Sequence, residues 1–211
     1  MKKRTIRTCG FTLIEAIMVV GIITLVGGAI VAFQRTVIRN TRIIQSALIT
    51  EQQARKTLSS FVSEMREATQ SAAGSYAIES AGTSSIVFYS NVDGGTDVER
   101  VRYFLATSTA GSAVYDVVKK GVIKAVGVTY PAGSETFRTV ATAVKNTSLT
   151  PLFTYYDTGY AGTSTALSVP INIPSVRLIK LELLVDPNAA LSPVPQTYST
   201  QVSIRNLKSN L

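Results

Sequence analysis

Apolar and polar residues alternate by three different rules along this chain. From Phe11 to Phe33 the residues are almost all apolar, and Glu15 is the only charged position in the run. These 23 residues would rise roughly 35 Å as a helix at about 1.5 Å each, enough to cross a bilayer. Beyond the run a helical period takes over. Ile44, Ala47, Leu48, Glu51, Ala54, Leu58, Phe61, Val62, Met65 and Ala68 recur at spacings of three and four, while Arg42, Arg55, Lys56, Glu64 and Arg66 fall mostly off that stripe. No proline interrupts Gln34 to Ala73, and the first in the chain is Pro131. The pattern predicts one helix from Phe11 to about Ala73, with a two-helix arrangement broken between Gln34 and Asn40 as the competing reading.

Gly74 ends the helical pattern, and a period of two follows. Ser84 to Thr107 reads as a hairpin: "SIVFY" is a nearly continuous apolar strand, "NVDGGTD" supplies turn residues, and Glu99 to Leu105 returns with Arg100 and Arg102 alternating with Val101 and Tyr103. "AVYDVVKKG" reads as a third strand and "KAVGVTY" as a candidate fourth. Residues 131 to 174, rich in Thr, Ser, Gly and Ala, read as loops with one or two edge strands. Near the end, Ile179, Leu181, Leu183 and Val185 share one face of a strand whose other face carries Lys180 and Glu182. The proline-rich "DPNAALSPVPQ" cannot be a central strand. "TYSTQVSIRNL" closes the chain with Tyr198, Thr200, Val202 and Ile204 on one face. A half-apolar sheet is the natural cover for the stripe of the helix. The expected fold class is therefore α+β: a long N-terminal α-helix, half transmembrane and half amphipathic, packed on a small antiparallel β-sheet domain.

Composition then narrows the chemistry. The 211 residues are 45% hydrophobic, suiting one modest domain plus an anchor, and they include no His, no Trp and only one Cys, Cys9. A Ser-His-Asp triad, a Cys-His pair and a His-ligated zinc site cannot be assembled. That weighs against most hydrolases and redox enzymes while leaving carboxylate or lysine chemistry open; with no catalytic constellation to point to, neither an enzyme nor a cofactor is expected. Of the 21 basic residues four lie within the first ten positions, leaving 17 bases against 13 acids beyond them, so the formal net charge of +8 overstates the surplus of the main body. Lys2, Lys3, Arg4 and Arg7 before the apolar run, against Arg35, Arg39 and Arg42 after it, favour a cytoplasmic N-terminus by a narrow margin. The second group suits anionic lipid headgroups. A secretory signal peptide is the alternative reading of the basic head and apolar body, but the run is too long for a typical h-region and no A-x-A site follows it.

One residue in the run needs an explanation. A carboxylate at the centre of a membrane helix costs on the order of 2.5 to 3.5 kcal/mol, and less near the interface. Glu15 therefore requires a compensating partner or position. "GFTLIE" behind a short basic leader, followed by an unbroken apolar run, resembles the processing site of type IV prepilins and of type II secretion pseudopilins. The resemblance covers residues 2 to 33. It implies cleavage between Gly10 and Phe11 by prepilin peptidase, N-methylation of the new Phe11 amine, and a lollipop of helix and sheet. The domains it implies are a cleaved leader 1–10, a helix 11–73 with its transmembrane segment 11–33, and a globular sheet domain 74–211.

Within that superfamily "FVSEMREA", "SSIVFYSNVDGGTDVERVRYFL" and the closing "VSIRNL" look most like minor pilins and J-type pseudopilins. No C-terminal cysteine pair and no proline in the membrane half of the helix departs from the major-pilin pattern. The resemblance implies a filament subunit placed at the tip or in the initiation complex, with other pilins or pseudopilins, the prepilin peptidase and membrane lipids as partners, and the assembly platform and ATPase acting indirectly. It also implies a single-pass location in the cytoplasmic membrane, N-terminus inside, before incorporation into an extracytoplasmic filament. Cleavage would make Phe11 the only cation within one turn of Glu15. The carboxylate then pairs either with its own Phe11 amine or with that of a neighbouring subunit, the latter setting register in a filament.

Two other uses of the residues stay open. Asn91, Asp93, Asp97 and Glu99 gather oxygen ligands of the kind calcium takes, without the EF-hand spacing, while Asp-Gly-Gly is also what a tight hairpin needs. Arg100, Arg102, Lys119, Lys120 and Lys124 could form a basic sheet surface for nucleic acid, or simply the solvated faces of strands. A tip-located adhesin or DNA-capture module is the alternative function.

Overall fold

The computed structural model describes residues 10, 12–110, 113–162, 165–186 and 195–204. Their architecture is α+β. One long helix, α1 (Leu13–Arg66), precedes an antiparallel sheet of eight strands: β1 (Ile78–Ala81), β2 (Ser85–Ser90), β3 (Glu99–Ala110), β4 (Ala113–Ile123), β5 (Thr136–Val144), β6 (Phe153–Tyr156), β7 (Leu178–Val185) and β8 (Gln196–Ser203). Two compact units divide the chain, Met1–Gln45 and Ser46–Leu211.

In the first unit α1 runs without a break through Gln34 to Asn40, so the two-helix arrangement does not form. Its large apolar side chains, from Leu13 to Phe33, are exposed. The Thr24 hydroxyl donates to the carbonyl of Gly21 at 2.9 Å and that of Val20 at 3.0 Å, and Thr36 donates to that of Ala32 at 3.1 Å. Each hydroxyl is thus satisfied by its own helix. Among the described residues α1 is the one helix long and apolar enough to cross a membrane, with a mean hydropathy of 2.6 over its most apolar 18-residue window, none of it buried in the protein.

In the second unit the stripe of α1 is buried against the sheet from Thr50 onward. Ala54, Leu58, Phe61 and Met65 enter the core as the period predicts, but Ile44 and Leu48 stay more than half exposed, and Thr50 and Thr57 are buried in their place. Thr57 is accommodated because its hydroxyl reaches the carbonyl of Gln53 at 2.8 Å and that of Val140 on β5 at 2.7 Å. The helix ends at Arg66 rather than at Ala73. Thr69 turns its N–H to the Tyr89 carbonyl at the end of β2, and the Ser71 hydroxyl accepts the N–H groups of Ala73 and Ser75, so the backbone finds partners outside the helix. Gly74, at φ +77°, makes the turn that follows.

The sheet runs β1-β2-β3-β4-β5-β7-β6, with β8 also paired to β7. The predicted hairpin is β2 and β3, in register from Ser85↔Phe104 to Ser90↔Glu99. The alternation predicted for β7 is present: Ile179, Leu181, Leu183 and Val185 are buried and their neighbours are not. "KAVGVTY" forms no strand. Gly127, at φ +64°, turns the chain between Val126 and Thr129, whose two backbone hydrogen bonds close a tight loop. Within residues 131 to 174, β6 pairs with β7 alone, whereas β5 pairs with β4 along its length and meets β7 at Val144, so its end joins the β1–β4 half of the sheet to the β6–β8 half. Ala143, at φ +56°, redirects β5 as it leaves β4 and meets β7 at Val144↔Val185. Strand β1 was not foreseen, since four residues with two exposed give little alternation to read.

At the centre of the core lies Phe61, fully buried, with ring centroids 5.4 Å from Tyr103, 5.6 Å from Phe153 and 6.2 Å from Phe88. One helix side chain thus touches aromatic rings of β2, β3 and β6. Phe61→Ala should cost about 3 to 5 kcal/mol of stability, read as a lowered midpoint in urea unfolding followed by tyrosine fluorescence.

Candidate functional site

The N-terminal end of α1 carries the residues singled out for processing and assembly. Gly10 is exposed, and apart from its chain neighbours no atom lies within 4 Å of where a Cβ would stand. Phe11 lies outside the described residues. Thr12 is the N-cap: its carbonyl accepts the N–H groups of Glu15 and Ala16 at 3.1 Å each, and its hydroxyl takes the Glu15 N–H at 3.4 Å. Glu15 therefore sits at the third helical position, where the partial positive charge of the helix start favours a carboxylate. Thr-x-x-Glu is the capping-box spacing, a signal in the sequence that gives Glu15 a local reason to stand where it does. Among the described residues no ion pair reaches its carboxylate.

Of the four oxygen-bearing residues at the β2–β3 connection, Asn91, Asp93 and Glu99 bond backbone groups of the turn. Asn91 accepts the Gly94 N–H through Oδ1 and donates through Nδ2 to the Gly95 carbonyl. Asp93 accepts the Gly95 N–H and pairs with Lys124 at 2.6 Å, which holds its carboxyl below the usual range. Glu99 is buried and accepts the Val92 N–H at 2.9 Å. Asp97 is exposed. Among the described residues no three His, Cys, Asp or Glu side chains gather as metal ligands would.

The five basic residues do not share one face. Arg100 and Arg102 lie on the side of β3 opposite the buried Val101 and Tyr103, whereas Lys120 stands directly across from Tyr103 in the β3–β4 register and points to the helix. Four of the five are paired. Arg100 grips both oxygens of Glu79 at 2.6 and 2.7 Å, and Arg102 both oxygens of Glu135 at 2.9 Å. Lys124 holds Asp93, and Lys120 holds Glu64 at 2.6 Å.

Glu64 is the functional-looking group that the sequence pattern misplaced. It does not face solvent; its side chain and that of Lys120 are 15% and 13% exposed, and its second oxygen accepts the Tyr103 hydroxyl at 2.9 Å. Burial, then the neighbouring Glu64 charge, pushes the Tyr103 hydroxyl far above its ordinary pKa. Three residues after Phe61, Glu64 borders the buried stripe, and that spacing was the available sign.

On the outer face of the sheet, Arg102 also stacks 4.3 Å from the Phe104 ring centroid, with Phe137 beside it. The Glu135 carboxylate lies over Gly121, where a Cβ would come within 2.1 Å of Oε1. Two grooves flank the helix in the second unit. One of about 520 Å³ runs past Arg55, Val62 and Arg66 toward Ser199 and Thr200 of β8, and one of about 320 Å³ runs between Lys56 and Ser60 of the helix and Arg138 of β5.

No protein-family model, curated protein or solved structure matches the chain. The fold itself defines a class: a long helix with an apolar N-terminal stretch, joined to an antiparallel sheet that covers its last turns. That arrangement fits a pilin-like fold.

Gly121→Ala should lower stability by displacing Glu135 from Arg102, and the penalty should shrink in a Glu135→Ala background, where the three atoms that the new methyl group meets first are gone; urea midpoints of the four proteins check this. Glu79 adds a pH dependence. Its hydrogen bonds from Arg100 hold its carboxyl below the ordinary 4.5, despite burial. The pair therefore contributes stability that is present above that value and is lost as pH falls below it. Glu79→Gln should flatten the loss of stability between about pH 5 and about pH 3, measured by urea unfolding at each pH.

Proposed function

We propose that this chain is a minor pilin or J-type pseudopilin, a structural subunit that is cut between Gly10 and Phe11 and assembles into a type IV pilus-like or type II secretion filament. The observation that carries the reading is the join between "GFTLIE" and the start of α1. An accessible glycine precedes a helix capped at Thr12, with Glu15 in the first turn and exposed apolar residues from Leu13 to Phe33 behind it. In this reading the apolar stretch anchors the precursor in the cytoplasmic membrane with its N-terminus inside. Processing creates the Phe11 ammonium. In an isolated subunit the capped helix start and its own amine steady the Glu15 carboxylate; in the filament the amine of a neighbouring subunit replaces them. Burying one charge without the other costs several kcal/mol, so the pair sets the axial register of parallel helices. The nucleic-acid alternative draws less support, because Arg100, Arg102, Lys120 and Lys124 are already held by carboxylates.

Two substitutions separate processing from assembly. Gly10→Leu, expressed with a prepilin peptidase, should accumulate a precursor heavier by the ten leader residues, seen by intact-mass spectrometry; an unchanged mature mass sinks the processing claim. Glu15→Ala should be processed normally yet fail to enter filaments. Normal incorporation of that variant would exclude the intersubunit pair.

A further inference from the structure

The groove between α1 and β5 combines two features that point to the same kind of occupant. The first is charge. Lys56 and Ser60 line one wall and Arg138 and Thr139 the other, and no acidic residue contributes to the lining. Neither Lys56 nor Arg138 takes part in the ion pairs made by Glu51, Glu64, Glu79, Asp93, Glu135 and Glu182. Glu64, about two turns beyond Lys56 on the same helix, has its two oxygens engaged by Lys120 and Tyr103, and Lys120 stands opposite Arg138 in the β4–β5 register. The groove wall is therefore cationic and lacks a counter-charge.

The second feature is an open strand edge. Strand β4 pairs with β5 along its length, but β7 meets β5 only at Val144, so over Thr136–Thr142 no described strand occupies the other edge. Helix side chains reach it at two points, where Thr57 donates to the Val140 carbonyl and Thr142 donates to Gln53. Residues Thr136 to Thr139 are all exposed. An exposed strand edge is a template for another strand, and the side chains beside it set which sequence is accepted. A second copy docking edge to edge through the same strand would bring like charges at Arg138 together, which disfavours it.

We propose that the exposed edge of β5 at Thr136–Thr139 and the groove beside it take an extended acidic segment of a partner protein, added as a short strand along those residues with its carboxylates against Lys56 and Arg138. The volume of about 320 Å³ suits a few side chains of such a segment rather than a folded element. This surface lies wholly within Ser46–Leu211 and does not depend on the membrane or filament reading.

The test uses the full chain in detergent micelles, titrated against a fluorescein-labelled octapeptide of alternating Glu and Thr, with binding read by anisotropy. The peptide should bind, and Lys56→Gln combined with Arg138→Gln should weaken binding roughly tenfold, as expected for two exposed ion pairs near the top of their usual worth. Both substitutions are at exposed positions, and an unchanged urea midpoint will show that the fold is kept. The same peptide methylated on alternate backbone nitrogens should not bind, since it cannot pair with the edge. No binding of the Glu-Thr peptide, equal binding of a Lys-Thr peptide, undiminished binding of the methylated peptide, tighter binding of oligothymidylate, or a dimer of this chain that masks the edge would each overturn the proposal.

Discussion

The seating of Phe61 is the contact on which the second unit depends. Its ring sits edge-on to Phe88 and Tyr103 and tilted against Phe153, so one helix residue ties β2, β3 and β6 together. β2 and β3 are neighbours, but β6 lies at the other end of the sheet order, and a flat sheet would not bring its ring to the same point. The redirection of β5 at Ala143, and the pairing of β7 with β5, β6 and β8, curl the sheet over the buried stripe of the helix. Ala54, Leu58 and Met65 extend the same seam along the helix.

Around that apolar seam the helix is held by a few polar contacts that have a defined geometry. Thr57 reaches Val140, Gln53 takes the Thr142 hydroxyl, Ser90 donates to the Glu64 carbonyl, and the Glu64 side chain binds Lys120 and Tyr103. A largely buried ion pair is weak evidence of added stability, because desolvation offsets most of its attraction. What it contributes here is register: a helix shifted by one residue or one turn would leave Glu64 and Lys120 buried without each other. The outer face of the sheet follows the same logic at lower burial, where Arg100 with Glu79 and Arg102 with Glu135 neutralise charges that would otherwise make that face basic.

The two halves of α1 obey different physics within one hydrogen-bonded helix. Between Leu13 and Phe33 the side chains are apolar on every side apart from Glu15 and Thr24, whose hydroxyl is turned back onto the helix, while from Thr50 to Met65 a single stripe is buried. The sequence carries this difference openly, as an unbroken apolar run followed by a period of three and four. It also carries the cap, since Thr12 and Glu15 stand three apart at the point where the run begins.

What the sequence determined by itself is whatever rests on local periodicity and local caps. The long helix, the β2–β3 hairpin, the alternation of β7 and the α+β class were legible because each is written in neighbouring residues. What only the tertiary structure decided is whatever depends on partners distant in the chain. Glu64 looks like a solvated helix residue until Lys120 and Tyr103 close on it, and the basic residues look like one surface until the pleat separates Lys120 from Arg102 and carboxylates meet both. Strand β5, in a stretch rich in Thr and Ala, gains its place between two halves of the sheet from β4 and from one contact with β7. The physical reason is the same in each case: burial and pairing are properties of three-dimensional neighbours, and residues 33 to 56 positions apart supply them here.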